Sequence, residues 1–235
     1  MKIKLTLLVS ILLLLSVRPM WPADKEKDEA RLEKSGTVLK EILDIPDDIP
    51  QDLLSRADCV VVFPSVLKAA FVVGASYGRG AMTCRSGKDF EGPWGAPTMM
   101  ALEGGSIGFQ VGGEATDFVL LVMNDRGANA ILSSKVKLGG YASAAAGPVG
   151  RSASAETDVT LRAEILSYSR ARGLFAGVSL AGSTIRPDNS ANERIYGRKI
   201  HAKDIALSVT TGIPPSAQEL ISTLNARTLK HETLK

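Results

Sequence analysis

Histidine is scarce in this chain: His201 and His231 are the only two in 235 residues, and both lie towards the carboxyl end. Acid–base or nucleophilic chemistry that relies on an imidazole held within hydrogen-bond reach of a partner is therefore poorly supplied. Gly177–Ala181 reads GVSLA, one residue short of the GxSxG elbow that exposes a nucleophilic serine. That elbow needs a strand, a sharp turn and a helix, whereas the segment around Ser179 reads as one strand. Neither GxGxxG nor GxxxxGK[ST] occurs, so loops that cradle nucleotide phosphates are not indicated. Glu103, Glu114 and Asp117 bracket the Gly104–Gly113 stretch and could meet across a hairpin for acid–base work or calcium binding; turn and solvent-facing positions explain them more simply. Cys59 and Cys84 stand 25 positions apart with no CxxC pair, a spacing that does not suit zinc. They read as one disulfide or as two small buried hydrophobes. The expectation is a non-enzyme with no cofactor and no metal.

The amino terminus and the charge balance bound the remaining classes. Lys2 and Lys4 precede an apolar run from Leu5 to Val17, which Arg18, Pro19 and Pro22 end. This is the pattern of a secretory signal, and it is shorter than the roughly 20 apolar residues a spanning helix needs. The expectation is export to a periplasm or cell envelope with residues 1–23 removed near Ala23; an uncleaved anchor is the competing reading. Lys2, Lys4 and Arg18 leave with that segment and no acid does, so 28 bases against 25 acids become 25 against 25. A neutral mature chain does not supply the positive field that nucleic-acid binding requires. Residues 24–58 hold eleven acids and six bases, while residues 59–235 hold fourteen and nineteen, so a moderately basic body follows an acidic segment.

These residues must be positioned by elements that the periodicity suggests. Leu32, Val38, Leu39, Ile42, Leu43 and Ile45 recur at helical spacing, predicting an amphipathic helix over 28–45 that packs on the body. Asp48 can cap a second helix from about Pro50 to Ala57. Nineteen of the 22 glycines lie from Gly74 to Gly182, among apolar runs that read as strands over 59–63, 70–77, 81–85, 98–102, 106–112, 118–123 and 135–141. Asn124 or Asp125 can cap a helix through Leu132. Residues 158–168 alternate as a half-buried strand with Val159, Leu161, Ala163 and Ile165 on one face, and Arg170–Gly173 turns it into a strand over 174–185. Ser216 with Glu219 makes a capping box for a last helix with Leu220, Ile221 and Leu224 as its stripe. The fold class is α+β: a strand-rich, mainly antiparallel sheet or barrel-like core with helices at both ends. The chain divides into a signal (1–23), a helical segment (24–58), a body (59–213) and a closing helix and tail (214–235).

Val60–Arg85 reads VVVFPSVLKAAFVVGASYGRGAMTCR and is followed by GPWGAP at 92–97. With GGSIGFQVGGEATDFVLLVMND at 104–125, AAAGPVGR at 144–151 and YSRARGLFAGVSLAGS at 168–183, it resembles the SYLF domain family over about residues 30–213. The resemblance implies a lipid-binding domain: eukaryotic members are associated with phosphoinositide membranes and, in some cases, with actin. Because this chain reads as exported, an anionic lipid or membrane surface of a bacterial envelope is the expected partner. Lys68, Arg79, Arg151, Arg170 and Arg172 would supply the charge, and Trp94, Leu174 and Phe175 the apolar contact. A structural or protein-partner module of the envelope is the alternative, and a hydrolase built on Ser179 or Glu103 a remote one.

Overall fold

The computed structural model describes residues 21–228, apart from 47, 71–72, 108–111, 141, 150–162 and 172. The amino-terminal periodicity folds into α1 (Trp21–Leu43), and Leu32, Val38, Leu39, Ile42 and Leu43 are buried along one stripe. A short α2 (Gln51–Arg56) follows the prolines. Its cap position is Pro50, whose side chain accepts no hydrogen bond.

Two long strands come next, β1 (Cys59–Ala70) and β2 (Val73–Cys84), then β3 (Thr98–Ile107) and β4 (Gly112–Val122). Strands anticipated as separate over 70–77 and 81–85 are one continuous strand, and β3 likewise runs through Gly104 and Gly105. Pro64 and Ser65 interrupt the β1 ladder with a bulge, and Ser65 has φ 52°. Helix α3 (Asp125–Ser133) is capped as its sequence predicts, Asn124 Oδ1 accepting from the Gly127 N–H at 2.8 Å. The rest comprises β5 (Val136–Lys137), β6 (Ala144–Ala146), β7 (Ile165–Ala171), β8 (Leu174–Gly177), β9 (Thr184–Pro187), α4 (Asn189–Tyr196), α5 (Ala202–Leu207) and α6 (Gln218–Arg227).

The strands form one curled, half-barrel sheet in the order β5-β9-β3-β2-β1-β4-β7-β6, with β8 added on β7. Every pairing is antiparallel except β6 with β7. The fold is therefore the mixed α+β class that the sequence suggests. Both faces of the sheet are covered. Val60, Val62, Ala81, Val119, Leu121, Leu166 and Tyr168 pack with α1, α2 and α6. Val61, Phe63, Met82, Met100, Leu120 and Ile165 face the other way, towards α3 and α5. This explains why VVVF is a continuous apolar run and not an alternating one. The two terminal helices cross closely on one face: a Cβ on Gly36 of α1 would lie 2.7 Å from the Leu220 backbone nitrogen of α6.

Four details differ from the expectations. The strand over 174–185 is broken: β8 ends at Gly177, the chain turns at Ala181–Gly182 with Gly182 at φ +90°, and β9 then pairs β3 and β5 on the opposite side of the sheet. The anticipated strand over 135–141 shrinks to two residues. Val159 and Leu161 lie outside the described residues, and Ile165 to Tyr168 are buried on both faces, so β7 is not half-buried. Glu164, assigned to the solvent face, is 8% exposed and accepts from the Ser143 N–H at 2.9 Å. Finally, Ser216 sits in a 3-10 turn before α6 and makes no cap; Glu219 instead accepts from Thr37 Oγ1 at 2.8 Å, tying α6 to α1.

Candidate functional site

The sheet decides first which carboxylates can meet. Strands β3 and β4 are separated by β2 and β1, so Glu103 does not face Glu114 or Asp117 across a hairpin. Glu103 lies on the β9 side, where Lys135 at 2.9 Å and Arg186 at 2.8 Å hold its carboxyl below the usual range by hydrogen bonding. Among the described residues no group of three or more His, Cys, Asp or Glu could hold a metal ion. No helix among them is long and apolar enough to cross a membrane. Ser179 is exposed, and the nearest hydrogen bond its hydroxyl makes is with the Ala181 N–H, within its own turn.

The side chains expected to meet lipid fall into three groups. Arg151 and Arg172 lie outside the described residues, and Lys68 is placed only by its backbone register, opposite Ser76 on β2 and Glu114 on β4. Arg79 and Arg170 are held inside the protein. Arg79 reaches Asp188 at 2.5 Å and Asp28 at 3.8 Å. Arg170 donates to Asp117 at 2.8 Å and to Glu41 at 2.7 Å, and only 18% of its side chain is exposed. Two of the six acids on α1, Asp28 and Glu41, thus reach down to arginines of the sheet. The apolar group divides as well: Trp94 is buried, its Nε1 donating to Thr228 Oγ1 at 3.0 Å, with the Arg85 guanidinium 4.6 Å from its ring centroid. Phe175 stacks on buried Tyr168 with centroids 5.6 Å apart. Leu174 alone of the three stands clear, 78% exposed.

Strand register arranges the helix-covered face in rows. Ala81, Arg79 and Tyr77 succeed one another on that face of β2, because side chains repeat every two residues. The first uncovered row beyond Arg79 contains Tyr77, its partner Leu67 on β1 and Ala115, which pairs Leu67 from β4. Leu67 is 64% and Tyr77 48% exposed, and Ala75 and Ala115 are exposed too. Exposed apolar neighbours of this kind on a rigid sheet mark an interaction surface more readily than scattered ones do. The sequence reading missed this strip because Leu67 and Tyr77 look like ordinary strand residues until the reach of α1 across the sheet is known.

A second buried cluster surrounds the cysteines. Cys59 and Cys84 are opposite each other on β1 and β2, fully buried and joined as a disulfide. Asp58 and Arg85 flank the bridge. Burial, reinforced by Asp125 and opposed by Arg85, pushes the Asp58 carboxyl up to about 6, and burial lowers the Arg85 guanidinium. These groups are buried beside the ends of β1 and β2, where the Arg85 N–H donates to the Asp58 backbone carbonyl at 2.8 Å.

A family model described as "Ysc84: Las17-binding protein actin regulator" matches residues 103–227. SH3 domain-containing YSC84-like protein 1 of Rattus norvegicus is 34% identical over 214 residues, which is 88% of this chain and 61% of that protein. Protein YSC84 of Saccharomyces cerevisiae is 34% identical over 204 residues, 86% of this chain and 42% of that protein. LAS seventeen-binding protein 3 of Saccharomyces cerevisiae is 35% identical over 209 residues, with 87% and 44% covered. The chain spans from 42% to 61% of the length of these relatives.

Proposed function

The chain belongs to the Ysc84 family, the SYLF-domain proteins, a family of binding or regulatory domains, and from that premise we propose that it is a non-catalytic module that docks a protein partner. The observation that carries the reading is the family itself, whose description and yeast relatives are named for a protein partner, Las17. The geometry agrees with it. Arg79 and Arg170, two cations on which an anionic lipid site would depend, already have carboxylate partners within the fold. Among the described residues, the large apolar side chains left exposed on the helix-covered face of β1 and β2 are Leu67 and Tyr77. We also propose export, read from Lys2, Lys4 and the Leu5–Val17 run, as a separate reading on which the docking function does not depend.

The test is co-sedimentation of the purified chain with actin filaments, capture by purified Las17, and pelleting with phosphatidylserine vesicles at about 0.15 M salt. Saturable binding to a protein probe without vesicle pelleting supports the module. Salt-sensitive vesicle binding with no protein bound returns the function to an anionic lipid surface, where exposed Leu174 would supply contact. A mass measurement on the recovered protein decides cleavage: loss of residues up to about Ala23 is expected, and an intact Met1 terminus refutes it.

A further inference from the structure

The uncovered strip next to α1 has a wall as well as a floor. Lys27 and Lys34 stand seven residues apart, two helical turns, and share one flank of α1 with Glu41, while Arg31 between them is turned to the buried Asp28 at 2.7 Å. The opposite flank, with Gly36, Thr37 and Lys40, meets α6 through Leu220 and Glu219, and Asp44 just past the helix end meets it through Arg227. Glu41 reaches Arg170, which also holds Asp117 on β4, and Asp117 is two residues beyond Ala115 along that strand, so the two share a face in successive rows. The basic flank therefore overlooks the row of Tyr77, Leu67 and Ala115. Lys27 and Lys34 are exposed, and the ion pair of Lys27 is a surface contact to Asp24 at 3.7 Å.

We infer that this strip is a track for one amphipathic helix of the partner protein, lying beside α1 with its apolar stripe on Leu67, Tyr77 and Ala115 and an acidic flank against Lys27 and Lys34. The inference rests on the protein-docking reading and names the chemistry of the partner. Spacing supports it: neighbouring helices stand about 8–10 Å apart, which along a strand is two to three residues at about 3.3 Å each. A second helix set that far outward from α1 covers the Tyr77–Leu67 row. The same face already holds a helix by the same device, since α1 lays an apolar stripe on the sheet and aims Asp28 and Glu41 at arginines. The basic wall selects the charge of the occupant, and small Ala75 and Ala115 leave its backbone room to approach.

The probes are two fluorescent designed helices of about 18 residues, ~27 Å long, with leucine at i, i+3, i+4 and i+7 and either Glu or Lys at the remaining positions. The Glu-flanked probe should bind the purified chain saturably and the Lys-flanked probe at least about tenfold more weakly. Leu67→Ser with Tyr77→Thr, which removes the exposed apolar surface at two facing strand positions without adding charge, should weaken binding at least about tenfold. Lys27→Glu with Lys34→Glu should move the preference towards the Lys-flanked probe. Equal binding of both probes, binding that survives the Leu67/Tyr77 pair, or no saturable binding overturns the track. So does a dimer of the parent that the Leu67/Tyr77 pair dissolves, which would make a second copy the occupant, and so do phosphatidylserine vesicles held through the same two residues. Retained binding to actin filaments or Las17 by the Leu67/Tyr77 variant would refute the track while leaving the protein-docking function standing; loss of all protein binding by the parent would remove that function.

Discussion

Replacing Asp28 by Asn keeps the shape of a side chain that is 1% exposed and removes the charge on which three arginines converge. Asp28 Oδ1 lies 2.7 Å from Arg31 and 3.8 Å from Arg79, and Oδ2 lies 2.6 Å from Arg194 on α4. Arg79 keeps Asp188, but Arg31 and Arg194 lose this partner, and the like charges then face each other across the seam of α1, β2 and α4. Taking one member from a buried ion pair costs about 3–5 kcal/mol. The arginines retain some exposure, 18–29% of their side chains, so solvent relieves part of the loss and the lower end, about 3 kcal/mol, applies. For a domain of this size that corresponds to a melting temperature lower by ~6–12 °C. Asp24 on the same helix is the control: its pair with Lys27 is exposed on both sides, and Asp24→Asn should change stability by no more than about 1 kcal/mol. Urea unfolding of both variants, with unchanged dependence on denaturant, reads the difference. A loss below about 1 kcal/mol for Asp28→Asn would refute the claim that this carboxylate clasps α1 to the sheet.

Further outcomes follow from the interior. In Gly147→Ala the new Cβ would fall 2.1 Å from the Tyr168 ring, which is fully buried and stacked on Phe175; a loss of about 1–3 kcal/mol with a changed near-ultraviolet circular dichroism is expected, and native-like values in both would contradict it. The Cys59–Cys84 bridge closes a loop across 25 positions, so the double Ala variant should lose about 3 kcal/mol in the chain-entropy description, and labelling of the unfolded, unreduced protein should find no free thiol. The Asp58 carboxyl, pushed up to about 6 by burial, should titrate there by carbon NMR. Its folded value is raised, so its contribution is full below the unfolded value near 4 and is lost as pH rises through about 6; Asp58→Asn should flatten that part of the stability curve, and a midpoint at or below 4 would dismiss the effect.

Much of the fold is written locally. Leu32 to Leu43 repeat at helical spacing, Asn124 caps α3 through its own side chain, and the glycine-rich apolar runs have no better use than strands; each depends on residues close in sequence, where geometry is fixed by short-range sterics and hydrogen bonding. The family resemblance and the facing cysteines were also within reach of the sequence, since long motifs in order and two cysteines on successive strands need no knowledge of strand order. What tertiary structure alone decided is which distant residues meet. Glu103 and Asp117 flank one glycine-rich stretch yet end up on strands separated by the β1–β2 hairpin, because pairing follows burial of whole strands and not proximity in the chain. Arg79 and Arg170 look like free cations until α1 brings Asp28 and Glu41 over them. Leu67 and Tyr77 look like core until α1 is seen to stop one row short of them, because a helix covers only a band about 10 Å wide and the strands run past its edge.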